Sequence, residues 1–218
     1  MRAQRGIALL VSLLLLILVM LLGISAAQLC LQGEKAARAE RDRDVAMLTA
    51  EEAVADAERD ILDSSDPTRR AAFEADGAGS GAGGSGGGGG GDDGGGASAG
   101  AAFADKCGAG GVGLRARAAA GALPVWQTVD LSGVEDGGAC TAVHGAYTTA
   151  TMSTGEGFLP FKKPRYLIER MECHQPGDDA SPSAAPHYCY RVTAIGFGAQ
   201  PETETVLQTV FSKPEDKP

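Results

Sequence analysis

The first pattern along the chain is a block. A short hydrophilic segment, Met1 to Gly6 with Arg2 and Arg5, precedes an uncharged run from Ile7 to Ala27 that contains Leu13 to Leu16 in an unbroken row. A helix rises about 1.5 Å per residue, so this run spans about 30 Å, the hydrocarbon thickness of a bilayer. The pattern predicts one transmembrane helix over 7–27. Basic residues before it and an acidic chain after it place the first residues in the cytoplasm and the rest beyond the inner membrane. A secretory signal cut after Ala26-Ala27 is the alternative, but its apolar stretch is ordinarily shorter.

The pattern then changes to helical spacing. Glu34 to Asp63 contains no Gly or Pro and is rich in Ala, Glu, Asp and Arg, so the helix should continue as a spine over 28–66. Met47, Ala50, Val54, Ala57 and Ile61 recur at spacings of three and four, with Glu51, Glu52, Asp56, Arg59 and Asp60 mainly outside the stripe. So thin and Ala-rich a face needs a sheet or neighbouring subunits to pack against. Glu34 to Asp44 reads as a solvated stretch. Asp66-Pro67 should end the helix, because the residue before proline is pushed out of the α region.

From Gly77 to Gly100, 15 of 24 residues are glycine. Nothing there larger than Ala can offset the entropy of ordering, so 77–100 reads as a flexible loop. It lacks the offsets of a phosphate-binding loop, and Asp92-Asp93 does not make a calcium repeat. Beyond it, 101–218 turns to period two. Strands are expected at Val125–Leu131, Gly145–Thr151, Arg165–Met171, Tyr188–Ile195 and Thr203–Phe211, the last three as an antiparallel meander. In the last, Thr205, Leu207, Thr209 and Phe211 share one face, and Val206, Gln208 and Val210 share the other. The fold class is therefore α+β, a long helix on a small antiparallel sheet.

Composition narrows the function. Only 5% of residues are aromatic and the net charge is −9, with 19 basic against 28 acidic residues. The core must be small, and phosphate-backbone binding, which needs clustered Lys and Arg, is not expected. Cys30 sits at the edge of the membrane segment, whereas Cys107, Cys140, Cys173 and Cys189 form an even set in an oxidising compartment. Nearest-neighbour pairing, Cys107 with Cys140 and Cys173 with Cys189, is favoured among the three connectivities. A zinc site from Cys173, His174, His187 and Cys189 is the sharper alternative, although its spacing is not that of a knuckle. Ser181, Ser183 and Asp178-Asp179 lie near the histidines, but without a nucleophile elbow they read as turn residues. Neither catalysis nor a cofactor is expected.

Five stretches, at both ends of the chain, carry a family resemblance. Arg5-Gly6-Ile7-Ala8-Leu9-Leu10 resembles the type III leader of type IV pilins. That resemblance implies cleavage by a prepilin peptidase between Gly6 and Ile7, then methylation of the new amino terminus. Most major pilins carry Glu at the fifth mature residue, where this chain has Val11. Arg41 to Glu58 resembles the amino-terminal signature of PilX-type minor pilins. Pro164 to Glu169, Tyr190 to Gly198 and Val206 to Val210 are similar to blocks near that family's carboxy end. The resemblance implies a pilin-like fold and a non-enzymatic subunit that helps initiate pilus assembly near the tip. Its implied partners are other minor pilins, the major pilin and a tip adhesin. The K-type pseudopilin of type II secretion and a permanently anchored periplasmic binding protein are the alternatives.

Overall fold

The structure is a computed structural model that describes residues 4–77, 102–108, 111–173, 181 and 187–214. The glycine tract from 78 to 100 therefore lies outside the described residues, as does His174 of the zinc alternative. Two compact units divide the chain, Met1–Asp42 and Arg43–Pro218. Helix α1 (Gln4–Asp63) begins in the first and ends in the second, uninterrupted, as the pattern predicts.

In the second unit, α1 presents Ala46, Ala50, Ala53, Ala57 and Ile61 to the core, all buried. The predicted stripe is displaced around the helix. Met47 is 39% exposed and Val54 only half-buried, whereas Thr49, Asp56 and Asp60 lie within the buried face. At about 100° per residue, Met47 and Val54 fall on one flank of the Ala row and the two aspartates fall on the other. Hydrophobicity alone assigned the wrong flank, because both aspartates bury only by virtue of specific partners.

Asp66-Pro67 ends α1, but it also starts a second helix that the sequence reading missed, α2 (Pro67–Gly77). Asp66 Oδ1 accepts from Thr68 N–H at 2.8 Å and Arg69 N–H at 3.0 Å. This is an Asp N-cap with Pro at the first helical position, where the missing N–H costs nothing. The Ser64 carbonyl left over at the end of α1 accepts from Arg70 Nε at 3.0 Å and from the second guanidinium nitrogen at 2.7 Å.

The sheet contains β1 (Leu114–Ala116), β2 (Ala142–Val143), β3 (Arg165–Cys173), β4 (His187–Phe197) and β5 (Glu204–Ser212). β3, β4 and β5 form the expected antiparallel meander, with Tyr166 opposite Ala194 and Ala194 opposite Leu207. The sheet as a whole is mixed, not antiparallel. β1 runs parallel to β3, Leu114 beside Ile168, and β2 takes the first residues of the same edge in antiparallel sense. Gly113 sits at the junction with φ +72°, where a Cβ would lie 2.7 Å from Ala142 N. Tyr166, Ile168, Tyr190, Val192 and Ala194 face α1 and α2, and Phe103 stacks on Tyr190 while Phe73 meets it edge-on to close the core.

Two predicted strands are absent among the described residues. Val125–Leu131 instead begins as a single helical turn, α3 (Val125–Thr128). It then enters a turn, where the Asp130 carboxylate gathers the Ser132 and Glu135 N–H groups at 2.9 and 2.8 Å. Gly145–Thr151 is a run of turns. Gly145 has φ +77° and its N–H is spent on Asp56, not on a neighbouring strand. In the second segment a carboxylate takes an amide that a ladder would have used, and in the first Asp130 folds the chain just beyond it into a turn.

Candidate functional site

The amino-terminal unit carries the apolar surface. Ile7, Val11, the Leu13 to Leu16 row and Leu31 are all exposed, and the helix is long and apolar enough to cross a membrane. Gly6 and Ile7 lie within the first turns of α1, and Val11 is 50% exposed. Within this apolar surface Ser12 and Ser25 turn their hydroxyls back to Leu9 O and Leu21 O at 2.9 Å. A polar side chain in such a segment is thereby satisfied within its own helix. Cys30 is a free, exposed thiol on the same helix.

In the second unit, what holds α1 to the sheet is polar as well as apolar. The Asp60 carboxylate is fully buried and meets the Arg69 guanidinium of α2 twice, once through Nε at 3.1 Å. Tyr166 of β3 donates its hydroxyl to the same carboxylate at 2.9 Å. Burial first, and the Asp60 charge second, push the Tyr166 phenol up, so it remains a proton donor. Arg69 also donates to Val112 O at 2.6 Å and lies 3.8 Å from the Tyr147 ring centroid. One turn earlier, Asp56 accepts from Gly145 N–H at 2.7 Å and from the Thr148 hydroxyl. These two carboxylates tie α1 to α2, β3 and the 145–148 turn together.

Nearer the start of the packed stretch, Thr49 does the same for β4. Its hydroxyl oxygen accepts from Phe197 N–H at 3.0 Å, and its proton faces Ala46 O at 2.9 Å. Gly196 lets the helix come that close. Sequence reasoning missed Thr49, Asp56, Asp60, Arg69 and Gly196. Asp56 and Asp60 carried a readable signal, an i, i+4 pair interleaved with the buried Ala53 and Ala57.

The disulfides are Cys107–Cys140, with Cα atoms 4.7 Å apart, and Cys173–Cys189, at 5.7 Å. The second closes the β3–β4 connection, a loop of 16 residues, which in the chain-entropy view stabilises by about 3 kcal/mol. It also corrects the zinc alternative, because both sulfurs it would need are bonded to each other. Cys107 Sγ, Cys140 Sγ and Asp136 lie close together, but there too the sulfurs are joined. Beneath this disulfide, Arg115 donates to Cys107 Sγ at 2.8 Å. On the sheet face away from α1, Glu169 is buried with Arg191 at 3.9 Å. Burial pushes its carboxyl up against the pull of Arg191 and Arg115. The Asp130 carboxyl goes the other way, to about 2; burial opposes this, but the Glu135 and Ser132 N–H groups favour the charged form.

The arrangement is a membrane-length apolar helix in one unit and a disulfide-closed sheet clamped on a helix in the other. The family described as type IV pilus assembly protein PilX C-term matches residues 67–213, and PilX N-terminal matches residues 5–55. No curated protein and no solved structure matches the chain. The two matched regions span α1 through the β3–β4–β5 meander, and the chain belongs to the PilX family, minor pilins that are structural components of the type IV pilus.

Proposed function

We propose that this chain is a tip-proximal minor pilin that helps initiate pilus assembly, anchored by a single pass in the inner membrane with its head in the periplasm. A prepilin peptidase cuts between Gly6 and Ile7, and the new amino terminus is methylated. The apolar surface from Ile7 to Ala27 stores the subunit in the bilayer and then joins the helix bundle of the filament, where packing of van der Waals surfaces drives association. The head selects its neighbours, other minor pilins, the major pilin and a tip adhesin. The observation that carries the tip position is Val11. A carboxylate in a membrane-spanning helix is tolerated when paired, in pilins with a neighbouring subunit's amino terminus. With Val11 the chain offers its own terminus but has no carboxylate to receive another. Such a subunit suits one end of a stack, not a repeated place within it.

Mass spectrometry of the purified protein should find a methylated Ile7 as the first residue; an intact Met1, or a start at Gln28, would contradict pilin processing. Val11→Glu should move the subunit off the tip, read as labelled subunit distributed along filaments, or as fewer filaments per cell. If number and position stay as in the wild type, the argument from the missing carboxylate fails.

A further inference from the structure

Arg115 of β1 is only 8% exposed, yet its guanidinium meets a disulfide and not a carboxylate. One terminal nitrogen donates to Cys107 Sγ at 2.8 Å, the other donates to Asp105 O, and Nε has no hydrogen-bond partner. Asp105 and Glu169, the latter its neighbour across β1 and β3, attract it without touching it. A buried cation with no anion in contact is costly. A disulfide sulfur is neutral and a weak acceptor, so it offsets little of that cost. A thiolate at Cys107 would offset most of it. The other sulfur has different surroundings. Cys140 is buried, and its N–H donates at 3.0 Å to Asp136, whose carboxylate lies within 4.8 Å of both sulfurs. Burial and that negative charge favour a neutral thiol at Cys140. At Cys107 the same charge is met by a guanidinium in hydrogen-bond contact, and Asp136 is itself engaged by the Gly138 N–H and drawn to Arg165.

We propose that Cys107–Cys140 is a reversible redox site of the head, opened by a dithiol reductant of the thiol–disulfide oxidoreductase class, and that Cys173–Cys189 is permanent. One thiolate of the dithiol bonds to a sulfur of the pair and breaks the S–S bond; the second thiolate then displaces that cysteine. The dithiol gives up two electrons and leaves as a disulfide. Of its two protons, one goes to Cys140 and the other to solvent, and Cys107 keeps its negative charge against Arg115. Whatever stabilises the reduced form makes a disulfide easier to reduce. The two disulfides also differ in what else holds their ends. Cys173 and Cys189 lie in a ladder that sets Met171 opposite Cys189 and Cys173 opposite His187, so their sulfurs stay neighbours after reduction and close again readily. Cys107 and Cys140 lie in turns ahead of β1 and β2, with no ladder between them. When their bond opens, the 102–108 segment stays attached through Phe103, packed against Phe73 and Tyr190, and through the bridge from Ala104 to Arg115. The head therefore remains folded while the covalent tie between the two turns is lost. The site belongs to the head alone and is independent of the tip position proposed above.

The test equilibrates the full chain, in detergent micelles, with mixtures of reduced and oxidised dithiothreitol, then alkylates free thiols and locates them by peptide mass spectrometry. Cys30, a free and exposed thiol, should be alkylated throughout and so reports complete labelling. Cys107 and Cys140 should open at a reduced-to-oxidised ratio roughly tenfold lower than Cys173 and Cys189, equivalent to about 30 mV. Arg115→Met should raise the ratio for Cys107 and Cys140 about tenfold, leave that for Cys173 and Cys189 unchanged, and Arg115→Lys should recover part of the loss. Should Arg115→Met misfold, the wild type alone still decides. In the reduced head, the alkylation rate of Cys107 should follow a thiol that titrates well below the ordinary value of about 8.5, while Cys140 titrates above it. Both pairs opening at one ratio, Cys173–Cys189 opening first, an Arg115→Met ratio equal to wild type, or an ordinary titration of Cys107 would each overturn the proposal.

Discussion

Arg69→Met is expected to destabilise the head by about 3–5 kcal/mol, the cost of leaving a buried charge without its partner. Asp60 is fully buried, and Arg69 is the cation that meets it. Without the guanidinium, the carboxylate keeps the Tyr166 hydroxyl but has no positive charge and no route to water. Val112 O and the Tyr147 ring would lose a partner too. Urea unfolding of the full chain, followed through its single tryptophan, Trp126, measures the loss. The double variant Asp60→Leu with Arg69→Met separates charge from packing. Replacing a whole buried ion pair by apolar groups is often neutral, so the pair should recover most of what the single change loses. A single variant within about 1 kcal/mol of wild type would show that the pair is not the clamp described here. A double variant as weak as the single would instead place the loss in packing.

This clamp shows where the sequence was legible and where it was not. The long apolar helix and the β3–β4–β5 meander were readable because each keeps one pattern over many residues, an unbroken apolar block in the first and alternation in the second, and a long pattern averages out local exceptions. The aspartates of the spine were not. A period-based reading assigns Asp to water, and only the later Arg69, Tyr166 and Thr148 make Asp56 and Asp60 inhabitants of the core. Those partners lie in α2, β3 and a turn, and no local window contains them together with α1. The same blindness produced the two wrong strands. Val125–Leu131 and Gly145–Thr151 have β-forming side chains, yet Asp130 takes the Ser132 and Glu135 amides and turns the chain just past the first, and Asp56 takes the Gly145 amide of the second. α2 could have been found, since Asp66-Pro67 is as much a start signal as a stop. β1 and β2, at three and two residues, exist only because β3 offers them an edge.

Gly196→Ala is expected to cost about 3 kcal/mol, at the upper end of what overpacking usually does. Across most exposed positions the same change is mild or stabilising, because it restricts the unfolded chain. At Gly196 a Cβ would stand 2.6 Å from Thr49 Oγ1 and nearer still to Ala46 O and Ala50 N. The last two are main-chain atoms of α1, so no rotamer change can clear them; either the helix moves off the sheet or β4 bends away. Movement of the helix strains the bonds from Thr49 to Phe197 at this end and from Asp60 to Tyr166 farther along. Trimming the neighbour should not help. Gly196→Ala with Thr49→Ala removes one close contact but leaves both main-chain contacts, and it orphans Phe197 N–H, so it should be weaker than either single variant. Hydrogen exchange would locate the damage: Phe197 and the β4 amides nearest Gly196 should lose protection before those beside Cys189. If Gly196→Ala unfolds within about 1 kcal/mol of wild type, the helix and sheet are not held at that spacing. The small residues at Ala46, Ala50 and Gly196 would then need another explanation than close approach of two backbones.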